Sequence, residues 1–175
     1  RSETGSTNAD LAARVAVGDH LAEGYWLIAD RQTAGRGRQG RQWFDGTGNF
    51  MGSTYVDRRA GDPMAGTLAL VAGLAVHETL GPLVPPPHRP ELKWPNDVMI
   101  AGAKLSGILL EAAGNGVIVG IGVNLASAPQ LPDRATIALA QFGPAPDRDT
   151  FADALARQFE IELDRWRTFG LEPLV

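Results

Sequence analysis

Cysteine is absent from the 175 residues, which removes disulfides, thiolate nucleophiles and cysteine-ligated metal together. Histidine is scarce: His20, His77 and His88 stand at no metal-ligand spacing, so no structural zinc is expected. No apolar run in the sequence approaches the roughly 20 residues of a bilayer span. No charged-then-apolar segment of signal type opens the chain. The expectation is a soluble cytoplasmic protein with no membrane partner. Basic residues are fewer than acidic ones, 16 against 20, for a formal charge of −4. That balance disfavours a dedicated nucleic-acid binder. Lysine is the last scarcity. Lys93 and Lys104 are the two lysines among 16 basic residues, leaving 14 arginines. Lysine is a compact, mobile point charge that arginine does not imitate at a crowded site.

What is present suits one compact domain, 44% hydrophobic and 21% charged. Gly5-Ser6-Thr7-Asn8 leads into a capped helix over Ala9–Ala16, with Gly18 as its stop. Tyr25–Asp30 reads as a short buried strand. Residues 31–48 are rich in Gly, Arg and Gln, and read as a long functional loop that ligand would order. Asn49–Val56 resumes as a strand, and Pro63 starts an apolar helix over Met64–Leu80. Pro82–Pro90 is an exposed connector. Three strand-like runs follow: Leu92-Lys93-Trp94 into Asp97–Ile100, Lys104–Glu111, and Val117–Asn124. Asp149 and Thr150 are placed to cap a last helix from Phe151 to Phe169. Antiparallel strands with flanking helices define an α+β domain.

Four segments carry chemistry. Gly35-Arg36-Gly37-Arg38-Gln39-Gly40-Arg41-Gln42-Trp43 sets guanidinium groups on a permissive backbone, where they can close on anions. Trp43 adds a stacking surface. A solvated basic loop is the plain alternative, and a phosphate-and-stacking site for nucleic acid is another. Lys93-Trp94-Pro95-Asn96-Asp97 gathers polar groups at one strand end. A turn requirement explains Asn96 and Asp97 but not the rare Lys93. In Lys104–Glu111, simple alternation places Lys104 and Ser106 on one face and Leu105 and Gly107 on the other. Gly107 marks a close approach of ligand or backbone. Gly120-Ile121-Gly122-Val123-Asn124 ends a glycine-spaced strand in an amide.

With Gly5-Ser6-Thr7-Asn8, these segments resemble, in order and along the whole chain, the bacterial biotin–protein ligase family. Its pattern is a Ser-Thr-Asn opening, a GRGRxGRxW loop, a KWPND segment, a KxxGILxE strand and a GIGxN strand. The resemblance implies a mixed, largely antiparallel sheet flanked by helices, the fold shared with class II aminoacyl-tRNA synthetases. It implies ATP-dependent formation of biotinyl-5′-AMP, then transfer of biotin to a lysine of a biotin carboxyl carrier protein. The carrier would belong to acetyl-CoA carboxylase or a related carboxylase.

ATP with Mg²⁺ would serve as cosubstrate and biotin as substrate. Ser6, Thr7 and Gln32 would bind the ureido head of biotin, with Asn8, Gly35 and Arg36 around it. Trp26 lies in the right neighbourhood for an apolar wall, and Gly107 would leave room for biotin. Arg38 and Arg41 would hold carboxylate and phosphates, Trp43 would pack on adenine, and Asn124 would contact adenine or adenylate. Lys104 would meet the carboxylate and the α-phosphate. Asn96 and Asp97 would lie near phosphate, metal and the carrier lysine. Lys104, Arg38, Arg41 and Asp97 form the expected catalytic set. The protein alone supplies no metal site, and Mg²⁺ would arrive with ATP near Asp97.

Position 39 departs from many family members, which carry Arg where this chain has Gln39. The resemblance implies the class without an N-terminal DNA-binding domain, hence no DNA partner. It also implies a catalytic domain over residues 1–170, with 171–175 opening a small C-terminal β-barrel. A homodimer through a sheet edge is left open. A lipoate–protein ligase of the same fold and a non-catalytic biotin- or carrier-binding module are the alternatives.

Overall fold

The computed structural model describes residues 1–171. The expected start of a C-terminal barrel at 171–175 therefore lies outside the described residues except for Leu171. The chain runs β1 (Glu3–Thr4), α1 (Thr7–Ala16), β2 (Trp26–Ile28), β3 (Arg31–Gln32), β4 (Phe50–Asp57), α2 (Leu68–Leu80) and β5 (Pro90–Lys93). It continues with β6 (Asp97–Ile100), β7 (Ala103–Ala113), β8 (Gly116–Val123) and α3 (Arg148–Phe169). Six strands form one sheet in the order β2-β4-β8-β7-β6-β5, antiparallel at every step. β1 and β3 form a separate parallel pair. The α+β expectation, with a largely antiparallel sheet, holds.

Alternation gives the sheet two different faces. Val117, Val119, Ile121 and Val123 of β8 join Phe50 and Val56 of β4 beneath α2 and α3 in the main core. The opposite face carries Ser53, Gly120 and Gly122 near the middle. At its outer end, Tyr55 and Ile118 pack with Leu11 of α1. One face is thus closed by large aliphatics. The other is left shallow by small residues, and that is where a ligand can enter.

Several expectations need correction. The helical run Ala65–Leu83 is 19 residues long and apolar enough, by length and composition, to cross a bilayer, so such a segment does exist. Its Leu68, Val71, Ala72, Ala75 and Val76 are buried in the main core, which accounts for the apolarity. Trp26 packs edge-on to Phe159 of α3, with ring centroids 5.5 Å apart. It therefore belongs to the helix-covered face and is no wall of a ligand site. α1 starts at Thr7, two residues before the expected Ala9, because Ser6 is its N-cap.

The cap of α3 is Asp147, not Asp149 or Thr150. Its Oδ1 accepts from the amides of Asp149 and Thr150, both at 3.0 Å. These bonds, the Thr150 amide foremost, hold the Asp147 carboxyl below the usual carboxylate range. A carboxyl depressed by folding stabilises above its unfolded pKa, and that contribution is lost as pH falls through the folded value. Asp147→Ala is therefore expected to lower Tm at neutral pH. The gap from the parent chain should begin to narrow as pH falls below about 4, the unfolded value of an aspartate, and close only below the lower folded value. Melting curves across pH test this, and a gap that persists at low pH would contradict the assignment.

Candidate active site

The site is built where β7 departs from regular pairing. On β6, Val98 pairs with Ser106 but its neighbour Met99 pairs with Lys104, so Leu105 is an extra residue in β7. Such a bulge switches the phase of alternation. Leu105 turns fully into the core, and Lys104 turns onto the shallow face with Gly107. Strict alternation had put these two on opposite faces; the bulge overturns it. A Cβ placed on Gly107 would lie 3.1 Å from Lys104 Nζ and 2.8 Å from Trp43 Cζ3. The room at Gly107 is thus taken up by Trp43 and Lys104. Asp97, paired with Gly107 across the ladder, receives Lys104 Nζ at 2.7 Å. Both side chains are more than four-fifths covered, at 16% and 19% exposure, so the pair is shielded from the screening that weakens surface ion pairs.

Residues 31–48 form an excursion tied together by its own backbone hydrogen bonds. Gly37 N–H donates to Arg41 O at 2.7 Å and Trp43 N–H to Gly35 O at 2.9 Å. Arg36 bridges to Gln42, and a single helical turn spans Arg38–Gly40. Gln39 adopts φ of 59°, in the region glycine prefers. The loop lays Trp43 across the sheet, and its indole rests where a Cβ on Gly122 would be. The Trp43 Nε1 is buried without a hydrogen-bond partner among the described residues. Arg38 donates to Asn96 Oδ1 at 3.1 Å, and Asn96 Nδ2 holds Ile108 O at 3.0 Å. KWPND and the arginine loop therefore meet through an amide.

Two contiguous cavities result. The larger, about 510 Å³, receives Arg38, Gln39, Arg41, Asn96, Asp97 and Asn124. The smaller, about 50 Å³, receives Ser6, Thr7, Asn8, Gln32, Arg36 and Gly107. Trp43, Lys104 and Arg38 line both. Apart from Trp26 and Lys93, which line neither cavity, the predicted site residues are brought to this region, including Gly35, which packs against Gln32 and the Trp43 Cβ. Gln32 reaches the opening of α1 because β3 pairs with β1. Its Oε1 accepts from Thr7 N at 2.7 Å and lies 3.0 Å from Thr7 Oγ1. Asn124 Nδ2 donates to Ile137 O at 3.2 Å, while its buried Oδ1 has no partner among the described residues.

Sequence reasoning missed Arg134, Ser53 and Asn49, and gave Glu111, the last residue of the KxxGILxE motif, no role. Arg134 lines the larger cavity, a cation added to Arg38 and Arg41. Its hydrogen bond with Asp133 holds Arg134 more firmly protonated and Asp133 below the usual range. Nothing in its sequence surroundings marks it, because it arrives from a Pro-rich loop. Asn49 is 1% exposed; its Oδ1 accepts from Ala126 N and Ser127 N while Nδ2 donates to Ser127 O. Beyond it, Lys104 N donates to Ala135 O and Ile137 N to Lys104 O. Among the described residues, no three His, Asp or Glu side chains converge to hold a metal. Asp97 and Asp45 are the carboxylates facing the larger cavity. Asp45 is engaged by Arg31 and the Gln32 amide.

Residues 18–126 match the Biotin/lipoate A/B protein ligase family. The chain is 45% identical over 171 residues to the biotin–[acetyl-CoA-carboxylase] ligase of Mycobacterium tuberculosis, covering 95% of this chain and 64% of that protein. It is 40% identical over 184 residues to the enzyme of the same name from Paracoccus denitrificans, covering 99% and 75%. The solved biotin protein ligase of Aquifex aeolicus in complex with biotin and ATP superposes with a TM-score of 0.83 at 30% identity. That match covers 98% of this chain and 72% of that one. The chain belongs to the Biotin/lipoate A/B protein ligase family. It spans just under two thirds of the length of the M. tuberculosis relative.

Replacing Gly122 by alanine puts a methyl group into the Trp43 indole. We expect Gly122→Ala to displace Trp43, shift the intrinsic fluorescence and weaken ATP binding. Unchanged emission together with unchanged ATP affinity would mean that Trp43 does not rest there in solution.

Proposed function

We propose that this chain is an ATP-dependent biotin–protein ligase acting on a lysine of a biotin carboxyl carrier protein. The carrying observation is the Lys104–Asp97 pair standing where a small polar cavity opens into a larger arginine-lined one. Thr7 and Gln32 in the small cavity suit the ureido head of biotin. Arg38, Arg41 and Arg134 in the larger one suit a triphosphate. Lys104, lining both, meets the point where carboxylate and α-phosphate react.

The reaction needs no protein nucleophile. The biotin carboxylate forms a bond to the α-phosphorus of ATP, and pyrophosphate leaves with its bonding electrons. The carrier amine then attacks the acyl carbon, loses a proton and releases AMP. Lys104 neutralises charge that grows on the α-phosphate, and Asp97 holds its ammonium in place. Arg38, itself held by Asn96, fixes the carboxylate, and Trp43 offers its ring to adenine. Asn124 Oδ1, a buried acceptor without partner among the described residues, suits an adenine or ribose donor. Mg²⁺ arriving with ATP would add charge neutralisation, and Asp97, which lines the larger cavity, would be the carboxylate to meet it. Acceleration comes from positioning and preorganised charge.

A lipoate ligase is the second reading of this family, and the pocket floor disfavours it, since a dithiolane offers Thr7 and Gln32 no polar partner. A merely binding module would have no use for Lys104 at the junction. The carrier we propose is that of acetyl-CoA carboxylase or a related carboxylase, in the cytoplasm. The acidic balance of the chain supports no DNA partner. The sheet edges at β2 and β5 suit pairing of two copies.

Purified protein should catalyse ATP–pyrophosphate exchange that depends on biotin, and not on lipoate or octanoate. Exchange driven by lipoate would move the chain to the sister activity; no exchange with any acid would oppose ligase function. Lys104→Ala is expected to lower turnover by roughly 100-fold, the scale of a lost transition-state donor. Turnover within a few-fold of the parent would remove Lys104 from that role.

A further inference from the structure

Beneath the small cavity runs a file of hydrogen bonds that leaves the ligand-facing residues and ends on a carboxylate. Thr7 Oγ1 lies 2.7 Å from Ser53 Oγ, Ser53 Oγ donates to Asn8 Oδ1 at 2.5 Å, and Asn8 Nδ2 donates to Glu111 Oε2 at 2.7 Å. Thr7, Ser53 and Asn8 are exposed by only 3%, 0% and 5%, so water cannot substitute for a missing partner. The fold permits the file because residue 120 is glycine. A Cβ there would overlap the Asn8 amide.

We infer that Glu111 is a positioning residue that sets the direction of every proton in this file and so fixes what the pocket floor offers a ligand. A carboxylate only accepts, so Asn8 must turn its NH₂ toward Glu111 and its oxygen toward Ser53. That oxygen also only accepts, so Ser53 gives it its one proton. Ser53 can then only accept from Thr7, so the Thr7 proton goes to Ser53 and not to Gln32 Oε1. Gln32 Oε1 is already engaged by the Thr7 amide. Gln32 Nε2 is the group left over, close to where a Cβ on Gly35 would stand. The floor therefore presents a hydroxyl lone pair at Thr7 and amide donors at Gln32. The complement is an N–H beside a C=O, as in a cyclic urea. Glu111 acts from three hydrogen bonds away and brings no charge into the cavity.

This deepens the biotin reading and rests on it for the ligand's identity. The test uses the full chain with Glu111→Gln, Asn8→Asp and the double variant, read by biotin and ATP KM in pyrophosphate exchange. Glu111→Gln frees the Asn8 amide to reverse. Biotin KM should rise on the order of 10-fold, the scale of one lost buried hydrogen bond, while ATP KM holds. Asn8→Asp sets two carboxylates face to face, and they repel until one takes up a proton as pH is lowered. Its biotin KM should rise at neutral pH and recover as pH is lowered. In the double variant the amide at position 111 donates to the carboxylate at position 8, which still accepts from Ser53. The direction is restored, and biotin KM should return toward the parent value.

A double variant that melts like the parent yet keeps the raised KM would overturn the inference. So would equal rises in biotin and ATP KM. If the parent chain shows no biotin-dependent exchange, that failure falls on the proposed activity. The melting temperatures then judge the file without ligand: recovery in the double variant supports it, and additive losses overturn it.

Discussion

A strand can direct a side chain to one face or the other, and one extra residue reverses the choice for everything on one side of it. In β7 the extra residue is Leu105. Because Leu105 fills the core, Lys104 faces the cavity instead of being buried under α2 and α3. An ammonium in that core would cost several kcal/mol unless paired, so bulge and lysine are mutually dependent. The Asp97 pairing, the contact with Trp43 and the junction of the two cavities all follow from this phase change.

The second requirement is shallowness. Gly107, Gly120 and Gly122 line up across β7 and β8, with Gly107 directly opposite Gly122. Each leaves a place that a side chain from another element fills: Lys104 and Trp43 at Gly107, Asn8 at Gly120, Trp43 at Gly122. Glycine weakens a strand, and the cost is offset by the aliphatic packing of the opposite face. The sheet is thus robust on one side and receptive on the other.

Much of this was legible beforehand. The glycine-spaced strands, the arginine loop and the two isolated lysines stood out because composition or spacing was unusual there, and the structure gathers all of them except Lys93, which is exposed, at one place. What escaped had no local signature. A bulge is decided by how β6 and β7 pair, and the residues of β7 alternate normally on paper. Trp26 looked like a site residue by proximity, but its face is settled by Phe159, more than a hundred positions later. Ser53 is an ordinary polar residue within a strand, and Glu111 a motif residue without an evident role, until register brings them against Asn8. Asp147 was passed over as a cap because Asp149 and Thr150 resemble one equally well.

Asn49 gives the segment after β8 a particular architecture. It fastens the chain at Ala126 and Ser127, and the main chain of Lys104 fastens it again at Ala135 and Ile137. Residues 128–134 are therefore a span slung between two fixed posts, and neither post belongs to the span itself. Lengthening or shortening that span would reshape the roof of the larger cavity without moving Asn124 or Lys104. Loop closure entropy changes only slowly with length, so such changes are thermodynamically inexpensive. The fold in this way separates the length of that span from the placement of the two residues beside it.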